Sequence, residues 1–195
     1  MRRKSKGLSF YRKERKIGKN VARTIGTFSI WTAIMIVLAF ALVYCFGIRI
    51  REVGESMEPT LYNSQSILVN RFVYFFADPK RNDVVVFKPN GNDNSHYYIK
   101  RVIGVPGETV RISDGYIYIN DDLYMEDALY DRMESGGIAE SGVTLGEDEY
   151  FVLGDNRNNS EDSRHGNIGV VQKDYILGKA WFHGKSTERT AGFIK

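Results

Sequence analysis

The longest uncharged stretch of the chain runs from Thr24 to Ile48. Within it, the segment 28–48 holds 21 mostly apolar residues. At about 1.5 Å per residue, a helix of this length spans roughly 30 Å, the thickness of the hydrocarbon core of a bilayer. A segment in that core must pair its own backbone groups, which favours a helix. The pattern therefore predicts one transmembrane α-helix over 28–48.

Two other interpretations of this segment are weaker. A cleavable secretory signal would have a shorter apolar stretch followed by small residues, whereas Tyr44, Cys45 and Phe46 stand at the end of this one. A buried helix of a soluble domain is rarely apolar on every side over such a length. We therefore expect an uncleaved membrane anchor.

Beyond the anchor, short apolar runs alternate with turn residues. The runs are 67–77, 84–87, 97–105, 110–112, 116–119, 150–153 and 176–183. Asp114-Gly115 lies between two of them and is a typical hairpin turn. This pattern predicts a mainly β domain over 49–195, an antiparallel sheet or barrel-like structure. The acidic, glycine-containing stretch 121–149 is expected to be a mobile excursion from that domain.

Charge is distributed unevenly along the 195 residues, whose net charge is +3. Residues 1–23 carry ten basic side chains and a single acidic one, and the remainder is net acidic. An excess of Lys and Arg beside a membrane span marks its cytoplasmic side. We therefore expect a basic cytoplasmic tail over 1–27 and an extracytoplasmic domain after a single-pass anchor in the cell membrane. A nucleic-acid binder would not confine its basic residues to one tail, so no nucleic-acid partner is expected.

Metal and cofactor chemistry has little support in the sequence. One Cys excludes an intramolecular disulfide framework. The three histidines, His96, His165 and His183, do not have the spacing of a zinc site, and no glycine-rich phosphate loop opens a helix. We expect no metal and no cofactor.

Two residues stand out as candidates for chemistry. Ser56 lies in a turn-forming segment, where a serine is more often only a turn residue. Lys100 lies in an apolar strand next to Arg101, and strand alternation places these two cations on opposite faces. One of them must point toward the core or a cleft, where a charge needs a partner. A lysine whose pKa is lowered by burial can activate a serine hydroxyl, so a Ser-Lys pair is the simplest hypothesis.

The chain resembles a known family, the bacterial type I signal peptidases of the Ser/Lys kind. Four segments carry the resemblance in the family's order: Gly54–Leu61, Asp83–Phe87, Tyr98–Glu108 and Gly154–Arg164. A single span precedes them and 54 positions separate Lys100 from Gly154, so the chain looks like the compact, single-span form.

The resemblance implies a role for particular residues. Ser56 matches the nucleophile, Lys100 the general base, and Ser160 the hydroxyl that orients the lysine ammonium. Asp155, Asp162 and Arg164 match positions that brace the site. Gly54 stands where some relatives have a serine that donates a second hydrogen bond to the oxyanion.

By this resemblance the protein is a membrane-bound serine endopeptidase that removes N-terminal signal peptides from secretory preproteins. Its partners would be those preproteins and membrane lipid. Because Ser56 is eight residues beyond Ile48, an extended linker reaches at most about 29 Å, which would keep the site near the membrane. The substrate is expected to bind extended along a strand edge. The aromatic run 72–76 would contact lipid, line a substrate pocket, or form a strand that is buried on both sides.

Two alternatives remain open at this stage. One is a self-cleaving repressor-type Ser-Lys protease, although a membrane span and not a DNA-binding segment precedes the domain. The other is a non-catalytic anchored accessory in the assembly of surface proteins or pili, which the presence of both Ser56 and Lys100 disfavours.

Overall fold

The computed structural model describes residues 17–46, 48–92, 94–126 and 130–194. Its first element is a long helix, α1 (Ile17–Phe46), in which residues Val21–Tyr44 have a mean hydropathy of 2.2 and no buried side chain. This helix is long and apolar enough to cross a membrane. It begins before position 28, and Ile48 already belongs to the first strand.

The chain divides into two compact units after Ala41. Most of the predicted basic tail lies outside the described residues, and the division into tail, anchor and domain stays a prediction.

The second unit is built from short strands. They are β1 (Ile48–Arg51), β2 (Ser66–Asn70), β3 (Val84–Phe87), β4 (Tyr98–Gly104), β5 (Thr109–Ser113), β6 (Tyr116–Ile119), β7 (Asp122–Leu123), β8 (Val143–Thr144), β9 (Glu149–Leu153), β10 (Val171–Gln172), β11 (Ile176–His183) and β12 (Gly192–Phe193). A four-residue helix, α2 (Val73–Phe76), follows β2. Short 3₁₀ helices cover Pro89–Gly91, Gly137–Ser141 and Lys173–Tyr175.

The strands form two antiparallel sheets. The larger has the order β1-β2-β11-β3-β4-β9-β10, with β12 added beside β11. The smaller has the order β7-β6-β5-β8, and its β5–β6 hairpin turns at Asp114-Gly115 as predicted. The expectation of a mainly antiparallel β fold is confirmed.

Apolar side chains from alternate strand positions form the core. One buried cluster lies beneath the segment that contains Ser56, and its members are Met57, Leu61, Ile67, Val69, Val84, Val86, Ile99 and Ala180. A second cluster joins the smaller sheet to β4 and β9, through Ile103, Val110, Ile112, Phe151 and Leu153 among others. These two buried clusters therefore support β4, the strand that carries Lys100, on both sides.

The stretch 121–149 is part of this core, so the prediction of a mobile excursion is wrong for its described part. Met133, Ala139 and Leu145 are buried in the second cluster. β8 pairs with β5, and the backbone N–H of Leu145 donates to the carbonyl of Glu108 at 2.8 Å. These three buried apolar residues hold the segment against the core, although its overall composition is acidic.

The apolar run 67–77 is not one strand. The Asn70 side-chain oxygen accepts the backbone N–H groups of Phe72 and Val73 at 2.9 and 3.2 Å, and such a bond competes with strand pairing and starts a turn. The chain continues as α2, in which Phe75 and Phe76 are 74% and 78% exposed. The interpretation of 72–76 as a strand buried on both sides is therefore wrong.

Candidate active site

Ser56 lies in a tight turn between β1 and β2. Gly54, two residues earlier, has a φ of +95°, a conformation that favours glycine. After Ser56, Met57 and Leu61 are buried in the core, and the Leu61 N–H donates to the Met57 carbonyl at 2.8 Å. The buried Met57 and Leu61 side chains fix the turn to the core, so the half-buried Ser56 side chain is held at the surface of the domain.

The loop that follows β9 holds this turn from the side. The backbone N–H of Asn156 donates to the carbonyl of Ser56 at 3.0 Å, and the Asn156 side-chain amide donates to the carbonyl of Glu55 at 3.1 Å. The sequence analysis did not single out Asn156. An asparagine in a polar loop is a common turn residue, and nothing in its local sequence indicates a bond to a segment a hundred positions away.

Lys100 projects from β4 toward Ser56. Its Nζ donates to Ser56 Oγ at 2.6 Å, and the side chain is only 3% exposed. Burial lowers the pKa of Lys100 below its usual value, although neighbouring carboxylates, Glu52 foremost, act in the opposite direction. The structure thus brings together the two side chains that the sequence predicted as a pair.

Arg101, the next residue, is also buried, on the opposite side of the strand. Its Nε and Nη2 donate to the two carboxylate oxygens of Asp155 at 2.8 and 2.7 Å, and its Nη1 donates to the Asn82 carbonyl at 2.9 Å. We expected one of the two adjacent cations to point toward the core or a cleft, and the structure buries both. Because Asp155 is the second residue of the loop after β9, this bidentate pair ties that loop to the strand that carries Lys100.

A second buried ion pair closes the same loop on itself. Arg164 Nε donates to Asp162 Oδ1 at 2.8 Å, and the backbone N–H of Gly154 donates to Asp162 Oδ2 at 3.1 Å. The two ends of the loop are thereby held together. Asp155, Asp162 and Arg164 all lie where they can brace the loop beside Ser56.

Ser160 lies tightly against Gly154. A Cβ added to Gly154 would lie 2.1 Å from Ser160 Oγ and 2.5 Å from the Ser56 carbonyl oxygen, so only glycine fits there. Within the part of the chain that the structure describes, the buried Ser160 hydroxyl has no hydrogen-bond partner. The expectation that it orients the Lys100 ammonium stays a prediction.

Glu52 is a residue of this site that the sequence analysis missed. It is 3% exposed, and Ser56 Oγ donates to its Oε1 at 3.2 Å. Burial raises the pKa of Glu52 to about 7, against the opposing effects of the Lys100 charge and the Ser56 hydrogen bond. A signal was present: Ile48 and Ile50 of β1 face inward, and the same alternation places Glu52 inward.

A cleft of about 530 Å³ opens beside these groups. Its lining includes Glu52, Val53, Ser56, His96, Tyr98, Ile99, Lys100 and Glu161. On one side the first half of β4 pairs with β3, but β9 pairs with β4 only from Arg101 onward. The other edge of Tyr98–Lys100 is therefore open toward an added strand. No group of His, Cys, Asp and Glu side chains suited to a metal ion occurs among the described residues.

The chain is similar to several known proteins. A family model described as signal peptidase, peptidase S26, matches residues 25–183. Signal peptidase I T of Bacillus subtilis (strain 168) is 35% identical over 175 residues, which cover 84% of this chain and 89% of that protein. Signal peptidase I P of Bacillus subtilis subsp. natto is 39% identical over 132 residues, 64% of this chain and 70% of that protein. A crystal structure of a signal peptidase I from Enterococcus faecalis V583 also matches this chain, with 33% sequence identity and a TM-score of 0.43. The match covers 53% of this chain and 97% of the chain in that crystal structure.

Proposed function

We propose that Ser56 and Lys100 carry out peptide cleavage in this chain, which belongs to the signal peptidase family, peptidase S26. The chain is a signal peptidase I and removes signal peptides as a serine protease. The observation that carries the proposal is the 2.6 Å contact between Lys100 Nζ and Ser56 Oγ. A nucleophile and its base must lie within hydrogen-bond reach of each other. The burial of Lys100 supports the assignment, because it lowers the pKa of the amine toward the range in which a base works.

The reaction begins with Lys100 in its neutral form. Its amine takes the Ser56 hydroxyl proton as Ser56 Oγ attacks the scissile carbonyl carbon. The resulting ammonium then gives that proton to the leaving amine, and the signal peptide stays bound as an ester of Ser56. In the second half, Lys100 takes a proton from water as the water oxygen attacks the ester carbonyl carbon. The C–Oγ bond then breaks, the Lys100 ammonium returns the proton to Ser56 Oγ, and the signal peptide leaves with a free carboxyl group.

A negative charge develops on the oxygen of the scissile carbonyl when Ser56 Oγ attacks, and a hydrogen-bond donor is needed to stabilise it. The backbone N–H of Ser56 makes no hydrogen bond to another described residue, so it is available for this role. Gly54 carries no hydroxyl, and its backbone N–H already donates to Asn63 Oδ1 at 3.2 Å. We therefore assign the Ser56 N–H as an oxyanion donor.

The substrate is an extended segment of a secretory preprotein. The open edge of Tyr98–Lys100 offers backbone groups to an added strand, and Ser56 lies in the same cleft. Ser160 Oγ is buried beside Gly154 and has no hydrogen-bond partner among the described residues, which costs about 1–3 kcal/mol. We infer that this hydroxyl accepts a hydrogen bond from Lys100 Nζ once Ser56 Oγ has formed its bond to the substrate.

The long apolar helix is the membrane anchor in this proposal. Its stretch Val21–Tyr44 has the required length, and the basic residues before it favour a cytoplasmic N-terminus and an extracytoplasmic cleft. The exposed phenylalanines of α2 are candidates for contact with lipid, and they do not line the cleft beside Ser56.

The two alternative functions lose their support. The relatives at 35–39% identity are named signal peptidase I, which are enzymes and not accessory proteins. The same matches extend over most of this chain, so a repressor-type protease has no observation in its favour.

The test is cleavage of a labelled preprotein by the purified full chain in detergent, with the cut site read by mass spectrometry. Ser56→Ala and Lys100→Met should each lower the rate by at least about 10³-fold. Ser113→Ala and Lys185→Met, which remove the same groups away from the cleft, should leave it unchanged. Retained turnover in either site variant would refute the proposed pair.

A further inference from the structure

Ser56 is bonded on two sides, and only one of its partners has a role so far. Its oxygen accepts a hydrogen bond from Lys100, and its single hydrogen is donated to Glu52 Oε1 at 3.2 Å. The nucleophile's hydrogen therefore points to a buried carboxylate and away from the amine that has to remove it. The two ionisable side chains are separated only by the Ser56 hydroxyl oxygen.

We propose that Glu52 is a positioning residue of this active site. It holds the Ser56 hydrogen, stabilises the Lys100 ammonium by its charge in the resting enzyme, and so sets the pH above which the enzyme cleaves. The inference rests on the proposed Ser56–Lys100 mechanism and adds a third ionisable group to it. For Lys100 to act, its ammonium must lose a proton and the Ser56 hydrogen must turn from Glu52 toward the amine.

Charge explains why the carboxylate has this effect. A negative charge beside an ammonium stabilises the charged form, so Glu52 raises the pKa of Lys100, while burial alone lowers it. Asp162, Glu161 and Asp155 act on Lys100 in the same direction, but Glu52 is the foremost of the four carboxylates.

The other groups around Glu52 do not replace it. The further titratable residues that line the cleft are His96, Tyr97, Tyr98 and Glu161. The Glu161 side chain is bonded to Tyr98 and Asn167, so its carboxylate is already shared with groups at the rim. Ser56 is the hydrogen-bond donor to the Glu52 carboxylate.

The test is the pH profile of kcat/KM, which reports the pKa values of the free enzyme. Glu52→Gln keeps an oxygen that can accept the Ser56 hydrogen but removes the charge. Without that charge the Lys100 amine loses its proton at lower pH, so the rising limb should move down by about one to three pH units. Glu52→Met, which removes the hydrogen bond as well, should move the limb in the same direction and provides a second variant if Gln is poorly folded.

Glu55→Gln is the matched control, because it removes an exposed carboxylate from the same turn. Its rising limb should stay where the unaltered enzyme has it. A Glu52→Gln limb that does not move, or that moves to higher pH, would overturn the proposal. So would a folded Glu52→Gln enzyme that is inactive at every pH, since Glu52 would then be the base itself. Failure of the underlying mechanism has a different signature, which is turnover by Lys100→Met.

Discussion

Asp155→Asn tests how strongly the fold depends on the ion pair behind the site. Asp155 accepts two hydrogen bonds from the Arg101 guanidinium, at 2.8 and 2.7 Å, and both side chains are almost completely buried. The substitution keeps the size of the side chain but removes its charge and one acceptor oxygen. Arg101 is then a buried cation whose remaining polar contacts include the Asn82 carbonyl and Thr60 Oγ1.

The expected cost follows from the burial of the pair. Removing one partner of a buried ion pair costs about 3–5 kcal/mol, because the other charge stays uncompensated. Asparagine retains one acceptor, so we expect a loss near the lower end, about 3 kcal/mol. For a domain of this size, 1 kcal/mol shifts Tm by about 2–4 °C, so the melting temperature should fall by about 6–12 °C.

The assay is thermal unfolding of the full chain in detergent, followed by near-ultraviolet circular dichroism. Asp121→Asn is the matched control, since Asp121 forms an exposed pair with Arg111 at 3.3 Å and its side chain is 86% exposed. Exposed pairs contribute about 0–1 kcal/mol, so this Tm should fall by no more than a few degrees. If Asp155→Asn lowers Tm no more than Asp121→Asn does, the argument that the buried pair holds the loop to β4 is refuted.

Two further substitutions test the loop beside Ser56. Ser160→Ala should lower kcat with little change in KM if the hydroxyl orients Lys100, and preprotein kinetics that show no change in kcat would reduce Ser160 to a structural residue. Gly154→Ala should lower both activity and Tm, because its Cβ would come within 2.1 Å of Ser160 Oγ and 2.5 Å of the Ser56 carbonyl. Gly166→Ala, where an added Cβ meets nothing within 4 Å, should do neither, and equal effects of the two alanines would contradict the crowding argument.

Several features of this protein follow from local sequence patterns. The uncharged run indicated the long helix, because its signal lies in consecutive residues. Alternating apolar runs and Asp114-Gly115 indicated the strands and the hairpin. Burial of one of the two adjacent cations, Lys100 or Arg101, could also be expected, since strand alternation places them on opposite faces of an apolar strand. The order of the four motifs led to the family, which the family match confirms.

Other features depend on contacts between distant segments. Whether the described part of 121–149 packs is decided by contacts of Met133, Ala139 and Leu145 with the smaller sheet, and acidic composition does not reveal such contacts. The Arg101–Asp155 pair and the bonds of Asn156 join segments that lie tens of residues apart. No local pattern of hydrophobic and polar residues encodes these partners.

The sequence by itself determined the long apolar helix, the antiparallel β class and the identity of the Ser56 and Lys100 candidates, because each is carried by residues close together in the chain. Only the tertiary structure decided that Glu52 lies on the far side of the Ser56 hydroxyl. The physical reason is that burial and charge at a site are summed over all the segments that meet there, and the folded chain alone brings those segments together.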